Sequence, residues 1–117
     1  MKSIELMQKT AQILDSKKAS EITAIKVRDL TVVTDYFIIA SANNTTLVKT
    51  LADEVDEKLK EQGITPNRVE GYQGANWIIL DYSDVVVHIF YQETRDFYSL
   101  EKLWADGEIV DLSEILD

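Results

Sequence analysis

Trp77-Ile78-Ile79-Leu80-Asp81-Tyr82-Ser83-Asp84-Val85-Val86-Val87-His88-Ile89-Phe90-Tyr91 is the stretch that decides the fold. Two runs rich in β-branched and aromatic residues flank the polar pair Ser83-Asp84, a pattern that makes an antiparallel hairpin. A two-residue turn also sets a register, in which Tyr82 pairs with Val85, Leu80 with Val87 and Ile79 with His88. Side chains alternate across a strand, so Trp77, Ile79 and Asp81 share one face. His88, opposite Ile79, reaches that face from the paired strand, and Trp77, Asp81 and His88 can form one patch.

Working outward, Asp35-Tyr36-Phe37-Ile38-Ile39-Ala40-Ser41-Ala42 is a nearly continuous apolar run, as expected of a central strand buried on both faces. Ile22–Arg28 alternates well enough for a strand with one wet face. Helical spacing of Ile4, Met7, Ala11 and Leu14, widened by Leu6 and Ile13, predicts a helix over 3–16 with Ser3 as its N-cap. A longer helix follows the central strand, capped by Asn43 or Asn44. Leu47, Val48, Leu51, Ala52, Val55 and Leu59 form its apolar stripe, and Gly63 closes it. Arg68-Val69-Glu70 is a short extended piece, and Phe97, Leu100, Leu103 and Trp104 mark a short helix inside Glu93–Trp104. The order α-β-β-α-(β)-β-β-α implies an α/β fold with a mixed central sheet flanked by helices. All 117 residues fit one domain, with a core over about 3–105 and an acidic tail over 106–117.

Charge narrows the function classes. The net charge is −9, yet residues 1–60 carry nine basic and nine acidic residues. Residues 61–117 carry only Arg68, Arg95 and Lys102 against twelve acids, so the whole excess lies in the second half. Binding to nucleic acid needs a basic footprint, and this half would repel phosphates. A cationic protein surface is the better partner. Eight of the ten aromatic residues also fall in the second half; some serve the core, and tyrosines and tryptophans with a wet edge are favoured interface anchors. Cysteine is absent, which excludes disulfides, thiolate metal sites and cysteine nucleophiles. No apolar run approaches the ~20 residues of a membrane span, and Met1-Lys2-Ser3-Ile4-Glu5 is unlike a signal peptide. A soluble, cytoplasmic domain is expected.

Catalytic chemistry is poorly represented. His88 is the one histidine, and in mid-strand it reads as hydrogen-bonded within the sheet or at an interface. Neither a Gly-x-Ser-x-Gly elbow nor a His-Glu-x-x-His zinc site occurs. Asp81 and Asp84 offer carboxylate oxygens to a hard cation, but aspartates flanking a tight turn have ordinary backbone reasons to be there. Asp29 with Asp35 has the same weakness. Gly71-Tyr72-Gln73-Gly74 lacks the lysine and following helix of a phosphate loop. The enzyme alternative is a nucleotidyltransferase-type activity using Asp81 and Asp84 with a divalent metal, and a second alternative is an RNA-binding domain.

Four segments together are distinctive: Asp35–Asn43, Glu70–Tyr82, Asp84–Phe90 and Arg95–Trp104 with its Leu100-Glu101-Lys102-Leu103-Trp104 ending. This composite resembles the ribosomal silencing factor, or Iojap-like, family from the first helix through Trp104. Ser83 departs from the pattern, where glycine is expected in the hairpin turn. The resemblance implies a fold like that of nucleotidyltransferases without their catalytic residues, needing no cofactor or metal. It also implies binding to a basic protein of the large ribosomal subunit, the fourteenth in the usual series, on the face that meets the small subunit. That would block subunit joining and lower translation when nutrients are short; a homodimer is also known in the family. Trp77, Asp81, His88, Tyr98 and Glu101 are the expected contacts, with Glu70 and Trp104 as second choices. Tyr98 and Glu101 join the patch through the resemblance alone.

Overall fold

A computed structural model describes residues 1–116; Asp117, the last residue of the expected tail, lies outside the described residues. Its centre is a six-stranded mixed sheet in the order β3-β4-β5-β2-β1-β6. The strands are β1 (Ser20–Lys26), β2 (Tyr36–Ala42), β3 (Arg68–Glu70), β4 (Trp77–Asp81), β5 (Val85–Tyr91) and β6 (Glu108–Ile109). The helices are α1 (Ser3–Ser16), α2 (Thr45–Lys60), α3 (Gln92–Tyr98) and the single turn α4 (Leu100–Leu103).

Every residue of β2 is buried, as its unbroken apolar run requires. It pairs parallel to β5 along its whole length, from Tyr36 opposite Val85 to Ala42 opposite Tyr91. The β4–β5 hairpin has the predicted register, with Ile79 opposite His88 and Leu80 opposite Val87, and the Tyr82 amide donates to the Val85 carbonyl at 2.9 Å. Ser83 has φ 71°. That left-handed conformation explains why glycine is expected there. Asn67 Nδ2 donates to the Ser83 hydroxyl and ties the turn to the start of β3.

The two faces of the sheet are covered unequally. On one, Met7, Ala11 and Leu14 of α1 and Val48, Leu51, Val55 and Leu59 of α2 pack on Ile38, Ala40, Ile78, Leu80, Val87 and Ile89. Asn44 caps α2 by accepting from the Leu47 amide at 2.7 Å, and beyond its end Gly63 takes φ 79°. On the other face Ile25, Val27, Phe37, Ile39, Val86 and Phe90 pack with Leu100, Trp77, Ile79 and Trp104. The second layer is thus thin and rich in rings.

The structure corrects several expected boundaries. Lys2, and not Ser3, occupies the N-cap of α1, with no side-chain cap. Ile4 faces outward, while Thr10 is buried and donates to the Leu6 carbonyl at 2.8 Å. The first strand begins at Ser20 and stops at Lys26, because the Val27 carbonyl accepts from the Leu30 and Thr31 amides and turns the chain. The one short helix expected before Trp104 is two, broken at Ser99 with φ 48°. The break leaves Phe97 and Leu103 80% and 76% exposed, although both were expected on an apolar helix face. The core also extends past residue 105, since β6 pairs with β1 and Leu112 is buried against the α1–α2 side.

Gly71 combines φ 78° with a tight approach, for an added Cβ would lie 2.1 Å from the Trp77 carbonyl oxygen. Gly74, three residues on, has open space there. Gly71→Ala is expected to lower unfolding free energy by about 2–4 kcal/mol, from left-handed strain plus overpacking. Gly74→Ala should stay within about 0.5 kcal/mol of the parent, and urea denaturation of the pair checks both.

Candidate protein-binding site

The thin face carries the candidate site. Rings follow one another across it: Phe97 to Tyr98 at 5.1 Å between centroids, Tyr98 to Trp77 at 5.1 Å, Trp77 to His88 at 5.9 Å, His88 to Phe37 at 5.0 Å, and Phe37 to Trp104 at 4.9 Å. Phe90 stacks beneath Trp77 at 4.8 Å. The row runs from α3 across β4, β5 and β2 to the end of α4. Its outer members, Phe97 and Tyr98, are exposed, Trp77 and Trp104 are half-buried, and His88 and Phe37 are buried.

Two buried polar groups hold this surface. Trp77 Nε1–H donates to His88 Nδ1 at 3.0 Å, which places the histidine proton on Nε2. His88 is 6% exposed, and burial pushes its pKa down to about 4, so the ring is neutral at pH 7. Its place in the patch is therefore beneath Trp77, fixing the indole, and its Nε2 has no hydrogen-bond partner among the described residues. The second group is Arg95, 4% exposed on α3. Its guanidinium donates to Glu101 Oε2 at 3.1 Å, the Ser41 hydroxyl at 3.0 Å and the Thr23 hydroxyl at 3.3 Å, and Glu21 lies 3.8 Å away. These bonds fasten α3, and hence Phe97 and Tyr98, to β1 and β2.

The expected contact residues separate into groups. Trp77, His88, Tyr98 and Trp104 come together in the row of rings. Asp81 shares the strand face of Trp77 but lies about 13 Å along it, where it accepts from the Ser83 amide at 2.9 Å and pairs with Arg68 at 3.4 Å. Glu70 is exposed on the edge strand opposite Ile79. Glu101 is committed to Arg95. Among the described residues, no three histidine or acidic side chains cluster in a way that could hold a metal ion. No described helix is long and apolar enough to cross a membrane.

Sequence reasoning missed Arg95 as an anchor. One signal was available: Ser41 is a hydroxyl inside an otherwise apolar run, and a buried hydroxyl needs a partner.

Comparison with known proteins fits this architecture. The family model described as "Ribosomal silencing factor during starvation" matches residues 1–117. The chain belongs to the ribosomal silencing factor family. It is 37% identical over 116 residues to the Ribosomal silencing factor RsfS of Halalkalibacterium halodurans, covering 99% of each chain. An X-ray structure of a Chromobacterium violaceum protein superposes with TM-score 0.87 at 32% identity, covering 90% of this chain and 88% of that one. A mouse protein named "Mitochondrial assembly of ribosomal large subunit protein 1" is 30% identical over 96 residues, which are 80% of this chain and 42% of that protein. Membership supports a ribosome-associated role in regulating translation, and the Halalkalibacterium halodurans relative is named as a silencing factor.

Two outcomes test the anchors. Because His88 has a lowered pKa when folded, the unfolded chain binds the extra proton, so stability falls as pH drops from about 6.5 toward 4. Between pH 7 and 5 this costs about 2 kcal/mol, and His88→Phe should flatten that part of the urea-denaturation profile. Arg95→Ala leaves Glu101 without its cation and removes one of the Ser41 hydrogen bonds, and should lower stability by about 3–5 kcal/mol in the same assay at pH 7.

Proposed function

We propose that the protein uses its row of rings to bind a basic protein of the large ribosomal subunit, the fourteenth in the usual series, and so blocks joining of the two subunits. Translation would fall accordingly when nutrients are limiting. The observation that carries this reading is an aromatic patch of Trp77, Phe97 and Tyr98 in the acidic half of the chain, held from beneath by His88 and Arg95. Aromatic anchors with wet edges supply binding energy at protein interfaces, while the acids speed encounter with a cationic partner. The mouse relative's printed name ties a family member to the large subunit, which favours that subunit over the small one.

The inhibition needs no chemistry. The molecule measures 33 × 33 × 29 Å, large enough that its presence between two closely apposed subunits prevents bridging contacts from forming. Of the two carboxylates of the enzyme alternative, Asp81 is bound to Arg68 and the Ser83 amide.

Sucrose-gradient sedimentation with purified subunits tests the reading. Wild-type protein should travel with the large subunit and deplete joined ribosomes, and retention should weaken between about 0.1 and 0.5 M salt as exposed charges are screened. Tyr98 is 52% exposed, so Tyr98→Ala should leave the melting temperature nearly unchanged. It should still weaken retention by about 30-fold, the equivalent of an interface truncation of roughly 2 kcal/mol. Wild-type protein that stays at the top of the gradient would overturn the reading. Unchanged retention of a Phe97→Ala/Tyr98→Ala double variant would move the contact surface elsewhere.

A further inference from the structure

Beside the row of rings lies an open groove of about 700 Å³ between the 71–76 loop and α3. Trp77, Tyr91, Phe97 and Tyr98 line it with aromatic surface, Glu93 adds a carboxylate, and Gly74 leaves the opposite rim open. The Glu93 carboxylate sits close enough to the Tyr91 hydroxyl to push that hydroxyl's pKa up, so negative charge reaches the groove's rim. Among the described residues, no cationic side chain lines it. Of the three basic residues in this half, Arg68 is paired with Asp81 and Arg95 is buried with Glu21 and Glu101.

Both walls are fixed. On the loop side the Tyr72 hydroxyl donates to the Asp53 carboxylate of α2, with both oxygens 3.0–3.1 Å away, and Lys49 sits 5.3 Å from the Tyr72 ring. On the helix side Arg95 fastens α3 to the sheet. A preformed groove loses little entropy when filled.

We propose that this groove takes the side chain of an arginine carried by the partner protein. The inference rests on the interface reading above and names the chemistry that one part of the interface selects. A guanidinium is planar, stacks on aromatic faces and offers paired donors to a carboxylate, whereas an ammonium is a compact, strongly hydrated point charge. Four rings and one carboxylate with no competing cation match the guanidinium on each count. A phosphate group would meet Glu93 without a compensating positive charge.

The test is titration of the full-length, isotope-labelled protein with capped Gly-Arg-Gly, Gly-Lys-Gly and Gly-citrulline-Gly peptides, followed by amide chemical shifts. The arginine peptide should shift amides of residues 71–77 and 91–98 and bind several-fold more tightly than the lysine peptide. It should bind at least ten-fold more tightly than the neutral citrulline peptide. Glu93→Gln, which removes the charge, and Gly74→Leu, which fills the rim, should each weaken arginine binding at least ten-fold while the remaining spectrum stays in place. Equal binding of arginine and citrulline peptides would overturn the inference, as would shifts outside the groove or indifference to both variants. A short RNA oligonucleotide that shifts the same amides more tightly than the arginine peptide would also overturn it. The two readings fail separately. Arginine selectivity without large-subunit sedimentation sinks only the ribosomal partner, and sedimentation without arginine selectivity sinks only the groove.

Discussion

The parallel pairing of β2 with β5 is the constraint on which the other features depend. Seven consecutive residue pairs join the strands, from Tyr36 opposite Val85 to Ala42 opposite Tyr91. Parallel neighbours cannot be joined by a tight turn, so the chain leaves the sheet through α2 and returns through β3 and β4 before β5 begins. Central strands of this kind need cover on both faces. Two long amphipathic helices meet that need on one side with aliphatic side chains. Only the short, broken α3–α4 segment remains for the other side. Large rings make up the missing cover, because a ring buries much area for each residue spent.

In the proposed interface this arrangement would couple stability to recognition. A ring row at the edge of a thin layer keeps some edges wet, and those edges must be held if they are to bind anything. The two anchors solve this with opposite electrostatics. His88 is neutral, so its burial carries no charge penalty, and it accepts the indole proton that Trp77 would otherwise leave unpaired. Arg95 keeps its charge and needs two carboxylates and two hydroxyls around it. The site is therefore ordered before any partner arrives, and association need not supply that ordering.

Much of the fold was legible because it is written in local periods. The stripe of α2, the all-buried β2 and the register of the hairpin follow from spacing alone, and the register placed Trp77 and His88 on one face. What spacing does not encode is depth. That His88 is buried depends on Phe37, itself packed on Trp104, and both come from elements distant in sequence. The break at Ser99 was hidden for a similar reason. Serine has no local preference for φ 48°, and tertiary contacts impose it: Arg95 is pinned beneath α3 on one side and Leu100 is buried on the other. β6 escaped notice because a two-residue strand has no period, and its acidic surroundings resemble a solvated tail.

In the proposed interface the acidic half and the rings would divide the work of recognition. Two of the carboxylates expected at the interface are already used within the molecule, Asp81 by Arg68 and Glu101 by Arg95. A partner's lysine could take them over only by displacing those pairs, and exposed pairs return little free energy in any case. The unbalanced acids along the second half still create a field whose sign draws in a basic surface. Such a field changes how fast partners meet far more than how long they stay. In the proposed interface, residence would then come from area that leaves water and from contacts that cannot be screened, which the rings of Trp77, Phe97 and Tyr98 would provide. An interface divided in this way would show an association rate that falls with salt and a dissociation rate governed by the aromatic side chains.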